Sequence, residues 1–285
     1  MMKYKIIANP IAGRGTAEQA IPRVESLLGQ YGLDFELVRT ERPWHAAELA
    51  KEAVRDGYDV IVAMGGDGTA NEVLNGLLLA KEAGDGNGVM GVLCVGRGND
   101  FAYGVGIPSG LEEGCSVLAQ GRKRMIDVGR TVVDSSQSRF FGNGVGIGFD
   151  AVVGFEAAKM KHLHGFLSYL VAALKTLFIY YKAPTVQIEC NGQTWTQPSL
   201  MVSVMNGRRM GGGFMMAPEA EPDDGRFDLC IAGMASRLRV LSLMGHFMKG
   251  TQMGEDPIRM ERSARVIVTA VEGVLPAHAD GETLC

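Results

Sequence analysis

Residues 58–78 constrain the chain more tightly than any other stretch. Tyr58-Asp59-Val60-Ile61-Val62-Ala63-Met64 is a short, β-branched apolar run of the kind that forms a buried strand. Ala70-Asn71-Glu72-Val73-Leu74-Asn75-Gly76-Leu77-Leu78 carries its apolar residues at amphipathic helix spacing. Only Gly65-Gly66-Asp67-Gly68-Thr69 separates them, so the chain must pass from strand to helix through a glycine turn. Such a turn suits phosphate, because glycines let the backbone approach an anion and the free N–H groups of the helix start favour negative charge. An acid at Asp67 would repel bare phosphate, which points to a bridging Mg²⁺ or to a part in orienting a transferring group. The competing reading is an ordinary Gly-rich turn in which Asp67 caps the helix.

A second loop has the same setting. Asn9-Pro10-Ile11-Ala12-Gly13-Arg14-Gly15 follows a strand-like run and precedes a helix-like one. Through about residue 125 the two patterns alternate over 4–8, 17–31, 34–39, 44–56, 60–64, 70–81 and 89–95, which predicts an α/β sheet built from crossover units. Beyond it the chain changes to short β-rich runs at 126–133, 139–145, 185–190, 199–205, 227–232 and 265–271, with Asn191-Gly192 as a hairpin turn. One long helical insertion, 151–181, interrupts them. A length of 285 residues exceeds the usual single domain. The expectation is an α/β domain over 1–125, a mainly antiparallel β domain over 126–285, and the site in the cleft between them.

Composition narrows the functional classes. A net charge of −4 without a basic patch argues against a nucleic-acid partner. Five scattered cysteines with no CxxC pair give neither a disulfide framework nor a zinc site, and fit a reducing cytoplasm. The N-terminus does not read as a signal peptide, and the longest apolar candidate, 166–181, is broken by Lys175 and falls short of the roughly 20 residues a bilayer needs. That segment reads first as core and second as a lipid-contacting face flanked by Lys159, Lys161 and Lys182. His162 and His164, at i and i+2, do not share a helix face and are not read as metal ligands; His45 reads as a helix-start residue. Gly142, Gly144, Gly146 and Gly148 alternate, so one face of a strand lacks side chains, which permits close packing.

Taken together the motifs resemble the diacylglycerol kinase catalytic family, which includes sphingosine and ceramide kinases and bacterial lipid kinases and is distantly similar to NAD kinases and phosphofructokinases. The resemblance runs through Asn9 to Gly13, Thr40-Glu-Arg-Pro-Trp-His45-Ala46, Gly65 to Glu72, Gly98-Asn99-Asp100-Phe101-Ala102, Asn143 to Asp150, Gly211-Gly-Gly213 with Ala217-Pro218, Asp223-Asp-Gly225 and Asp280-Gly-Glu282. It implies a nucleotide-binding first domain, a β-sandwich second domain and phosphoryl transfer from ATP. On matching positions, Asn9, Pro10, Ala12, Gly13, Thr40, Gly65, Gly66, Asp67, Gly68, Thr69, Asn71 and Glu72 would hold the nucleotide, with Asp67 near the phosphates and Mg²⁺. Glu282 would be the general base. By the same resemblance a structural Mg²⁺ would sit on Asp224 and the main chain at Glu221 and Arg226. The chemistry asks for these types, since a lipid alcohol needs a carboxylate to accept its proton and a neutralised, aligned γ-phosphate.

Two departures stand out. Where the family carries a threonine, Cys94-Val95-Gly96-Arg97-Gly98-Asn99-Asp100 has Arg97, which we expect to make a bidentate contact with ATP phosphates. Family members continue past the Asp-Gly-Glu motif into closing strands, whereas this sequence stops at Cys285; a truncated or reduced member with Glu282 loosely anchored is expected. The leading expectation is a cytoplasmic, ATP- and Mg²⁺-dependent lipid kinase at the inner membrane surface, with diacylglycerol as default substrate and phosphatidic acid as product. The alternatives are a soluble-substrate kinase of the NAD kinase type and an inactive lipid-binding regulator. The oligomeric state is open, a homodimer among the options.

Overall fold

The computed structural model describes residues 2–133, 137–160 and 165–284. The chain divides into two compact units, Met1–Met125 with Arg139–Phe141, and Ile126–Ser138 with Gly142–Cys285. His162, His164, Lys161 and Cys285 lie outside the described residues.

The first unit runs β1 (Lys3–Ala8), α1 (Thr16–Gln30), β2 (Asp34–Arg39), α2 (His45–Arg55), β3 (Val60–Gly65), α3 (Asp67–Ala83), β4 (Val89–Cys94), α4 (Asp100–Gly104) and α5 (Leu111–Gln120). Its sheet is parallel, in the order β2-β1-β3-β4. All six residues of β3 are buried, which explains a sequence without polar alternation: the central strand of a parallel sheet is covered on both faces. Tyr4, Ile6, Ile21, Val24, Leu28, Val62, Met64 and Leu93 form the core under α1 and α5. The strand order reverses between β1 and β3, so the loops leaving their carboxyl ends flank the place where open α/β sheets take ligands.

The second unit is antiparallel. It contains β5 (Gly129–Val133), β6 (Gln137–Phe141), β7 (Gly144–Gly148), α6 (Phe149–Lys159), α7 (Gly165–Ile179), β8 (Thr185–Cys190), β9 (Gln193–Met205), β10 (Phe227–Gly233), α8 (Arg237–Lys249), β11 (Ile258–Ser263), β12 (Val266–Ala270), β13 (Ala277–Ala279) and β14 (Glu282–Thr283). The end of β6 packs with the first unit. Strand β9 works twice: its first half pairs with β8 across the Asn191-Gly192 hairpin, and its second half lies between β10 and β7. The main path is β11-β10-β9-β7-β13-β14, and α6, α7 and α8 pack on it around Phe149, Ala173, Met201, Leu243 and Phe247.

The α/β first domain and antiparallel second domain are as expected. The details differ in four places. The insertion read as one helix over 151–181 is two, α6 and α7. The run 139–145 is broken at Gly142-Asn143 into β6 and β7, because those amides turn to a carboxylate instead of a neighbouring strand. Helix α8 was not expected, since Gly245 and three cations blur its pattern, although Ser236 at its start and Gly250 at its end mark it. Finally, α7 is core on one face only. Ala172, Ala173 and Leu177 are buried, while Leu167, Leu174, Phe178 and Ile179 are exposed. No helix among the described residues is long and apolar enough to cross a membrane.

Candidate active site

In the first unit three loops meet where β1, β3 and β4 end. The amide of Asn9 donates to the Met64 carbonyl at 3.0 Å and that of Val95 to the Gly65 carbonyl at 2.9 Å, extending the parallel ladder into the loops. The Asn9 side chain then joins loop to helix: Nδ2 donates to Thr69 Oγ1 at 3.1 Å and Oδ1 accepts the Ile11 amide at 3.2 Å. Ala12 bonds back to the Asn9 carbonyl at 3.0 Å, closing a tight turn over Pro10. Gly66 and Gly96 press backbone against backbone. A Cβ on Gly96 would lie 2.2 Å from Gly66 Cα, so neither loop tolerates a side chain at the contact.

Asp67 fastens one neighbouring element and faces a second carboxylate. Its Oδ1 accepts the Phe101 amide at 3.0 Å, fastening the short helix α4. Its Oδ2 and the Oδ2 of Asp100 lie 2.9 and 3.1 Å from the position a Cβ on Gly98 would occupy, so the two carboxylates face one gap. Mg²⁺ is commonly held by one or two carboxylates completed by substrate phosphate oxygens and water, and this donor pair fits it. Among the described residues no group of three or more His, Cys, Asp or Glu gathers to hold a metal by itself. Arg97, between Gly96 and Gly98, is exposed.

Other sequence-derived positions take scaffold tasks. Thr40 bonds through its amide to the Ala8 carbonyl at 2.9 Å, at the same carboxyl edge of the sheet. Glu72 Oε2 accepts the Ala46 amide at 3.1 Å and so anchors the start of α2, which His45 opens with Nδ1 accepting the Glu41 amide. Asn71, buried, donates to the Phe140 carbonyl at 2.9 Å beside Asn75, which grips both backbone groups of Phe140. That task for Asn75 was not expected; buried asparagines at i and i+4 on α3 were the available signal.

In the second unit the Asp280-Gly281 pair is a two-residue hairpin turn between β13 and β14, with positive φ at both residues (49° and 88°), and Glu282 pairs with Ala279 on its far side. The Asp280 carboxylate is buried and accepts the amides of Gly142 at 2.8 Å, Asn143 at 3.0 Å and Gly144 at 2.9 Å. The turn is thus fixed from its first residue, and Glu282 stands two residues away, half-buried.

The acidic turn is also rigid. Asp224 Oδ1 accepts the Arg226 amide at 2.9 Å, while Asp127 Oδ2 accepts the Gly225 amide at 2.6 Å and the Asp127 amide donates to the Pro222 carbonyl at 2.7 Å. Its donors, carboxylate and carbonyl oxygen, suit a hydrated hard cation. Nearby, burial raises the Asp228 carboxyl above its usual range, against the opposing effect of the Arg262 guanidinium. None of the four described cysteines is in a disulfide and all are buried, and burial pushes the Cys230 thiol up to about 12, so it is no nucleophile.

The second unit also holds an apolar cavity of about 600 Å³ including its open mouth, with α6, α7, α8 and strands β9 and β10 around it. Val153, Met201, Leu243 and Phe247 are among its walls, and Asp150 is the one charged residue among the described residues of the lining.

The comparisons with known proteins agree along the chain. Residues 3–131 match the family model described as the diacylglycerol kinase catalytic domain, and residues 143–285 match the YegS C-terminal NAD kinase beta sandwich-like domain. Diacylglycerol kinase of Bacillus subtilis (strain 168) is 29% identical over 284 residues, spanning 99% of this chain and 90% of that protein. Diacylglycerol kinase of Mycobacterium tuberculosis is 27% identical over 284 residues, spanning 99% and 89%. A diacylglycerol kinase crystal structure from Bacillus anthracis str. Sterne superposes with a TM-score of 0.71 at 20% identity, covering 99% of this chain and 90% of that one. The chain belongs to the diacylglycerol kinase catalytic family, a family of lipid kinases.

Proposed function

We propose that the protein transfers the γ-phosphate of ATP, with Mg²⁺, to the hydroxyl of a lipid alcohol, diacylglycerol first among them, giving phosphatidic acid. The observation that carries the lipid reading is the apolar cavity of the second unit, whose described wall residues include one carboxylate, Asp150, the shape expected for acyl chains with one polar end. In the first unit the Asn9 to Gly13 and Gly65 to Thr69 loops hold the nucleotide phosphates on backbone amides. Asp67, with Asp100, would hold Mg²⁺, which would supply neutralisation of phosphate charge. Arg97 is placed to take a phosphate oxygen pair. Glu282 accepts the hydroxyl proton as the lipid oxygen bonds to the γ-phosphorus; the bond to the β,γ-bridging oxygen breaks and ADP leaves.

The same unit supports work at a membrane surface from the cytoplasmic side. Phe178 on α7 and Leu238 on α8 are 70% and 80% exposed, with Leu167, Ile179 and Leu241 also outward. Neither helix carries an acidic residue; of their cations Lys175 and Arg239 pair with Glu156 and Glu255, and Arg237 and Lys249 are the ones that suit anionic lipid. Both helices also line the cavity, which joins the outer apolar face to the pocket.

The test is product identification after incubation with ATP, Mg²⁺ and, separately, diacylglycerol, a sphingoid base, a polyprenol and NAD. Phosphatidic acid as the main product is expected. Phosphorylated NAD alone would replace this reading with a soluble-substrate kinase, and no product with any acceptor would leave a binding protein.

A further inference from the structure

The alternating glycines of β7 have a use beyond close packing. Gly146 pairs with Ser203 on β9 to one side and with His278 on β13 to the other, so the three residues form one row across the sheet. Side chains in such a row point to one face. The middle position is empty of side chain, and Asp150, from the first turn of α6, fills the space. Its Oδ2 lies 2.6 Å, and His278 Nε2 2.5 Å, from where a Cβ on Gly146 would sit. Any larger residue at 146 would drive the two apart. Ser203 Oγ donates to Asp150 Oδ2 at 2.8 Å from the opposite side. Asp150 also lines the apolar cavity.

The other ring nitrogen of His278 faces the Asp280-Gly281-Glu282 turn. Nδ1 accepts the Gly281 amide at 3.1 Å, so a neutral ring carries its proton on Nε2, the atom on the Asp150 side. His278 is 3% exposed and Ser203 fully buried, so neither reaches bulk water. We propose that His278 is a positioning residue: facing Asp150 across the gap at Gly146, it fixes the Gly281 amide and thereby the place of Glu282. This rests on the reading of Glu282 as the proton acceptor. A carboxylate on the residue after a clamped amide is restrained with it, and a displacement of about 1 Å costs about 10²-fold in rate.

The two ring nitrogens can be separated by substitution. His278→Asn keeps an acceptor near Nδ1 and removes Nε2; His278→Gln keeps a polar atom near Nε2 and removes the Nδ1 acceptor. Lipid kinase kcat is expected to fall less than about 5-fold in His278→Asn and more than about 50-fold in His278→Gln, with KM for lipid changed less than about twofold, since the loss is of positioning and not of binding. Hydrogen exchange at the Gly281 amide, measured on the intact protein without substrate, should stay slow in His278→Asn and become fast in His278→Gln. Equal exchange in the two variants, or equal kcat with intact exchange differences, overturns the proposal. If His278→Gln does not fold, His278→Ala takes its place, with kcat lowered and faster Gly281 exchange expected; unchanged exchange there overturns it equally. A wild type that phosphorylates no lipid removes the proposed activity, while the exchange data still decide whether the ring holds the turn.

Discussion

Asp280 and Asn143 are joined by a carboxylate-to-amide hydrogen bond of 3.0 Å, the middle one of three by which Asp280 holds the backbone at Gly142, Asn143 and Gly144. Four strands depend on it: β6 ends and β7 begins at those amides, and β13 turns into β14 at Asp280. The acid of the Asp-Gly-Glu motif is therefore a structural anion.

Asp280→Ala should destabilise the protein strongly. It leaves three buried amides without their acceptor, and each such group costs about 1–3 kcal/mol. A loss of at least about 3 kcal/mol in denaturant unfolding is expected. A loss below about 1 kcal/mol would mean that water or another group replaces the carboxylate.

Gly96→Ala tests the contact between the Gly65 to Thr69 turn and the loop that follows β4. The added methyl would lie 2.2 Å from Gly66 Cα, where backbone and not a flexible side chain must yield. Overpacking of this kind costs about 1–3 kcal/mol. Thermal unfolding should show that cost together with a raised KM for ATP. An unchanged KM would separate the contact from nucleotide binding.

Much of this was legible in the sequence, and the reasons are local. The Gly65 to Thr69 turn is bounded by a wholly buried strand and a helix, each with an unambiguous pattern, so its place at the sheet edge followed from its neighbours. Asn191-Gly192 named its own hairpin. What escaped reading depended on distant partners. Nothing near residue 142 announces that a carboxylate 138 residues away ends a strand there. Likewise the bare face of β7 looked like packing room, and only the cross-strand row shows Asp150 occupying it. Helix α7 misled in another way, since its exposed and buried apolar residues are alike in type.

Glu156 makes the hold of α6 on α7 depend on pH. It is buried and bonded to Lys159 at 2.7 Å and Lys175 at 2.6 Å, and those contacts hold its carboxyl below the usual 4.5. The folded state thus binds its proton more weakly than the unfolded state. Its stabilisation is present above pH 4.5 and is lost as pH falls through the lowered folded value. Glu156→Gln should lower stability at pH 7 by about 0.5–1 kcal/mol, because both lysines are largely exposed, and the difference should shrink as pH falls below 4.5. Melting curves across pH 3 to 7 check the sign; a difference that grows on acidification contradicts it.

Phe178→Glu and Leu238→Glu, combined, place charge on the outward apolar faces of α7 and α8. Sedimentation with anionic phospholipid vesicles should show partition reduced at least about 10-fold, while neutral vesicles bind the parent protein weakly. Equal partition of parent and variant would move the membrane face elsewhere.

The central claim is phosphoryl transfer to lipid by the carboxylates Asp67 and Glu282. Its most direct test is the transfer of label from γ-labelled ATP into solvent-extractable lipid by the wild-type protein, Asp67→Ala and Glu282→Ala, each shown to be folded. The account predicts labelled lipid with the wild type and a loss of about 10²-fold or more in each variant. Full activity in both variants would contradict it.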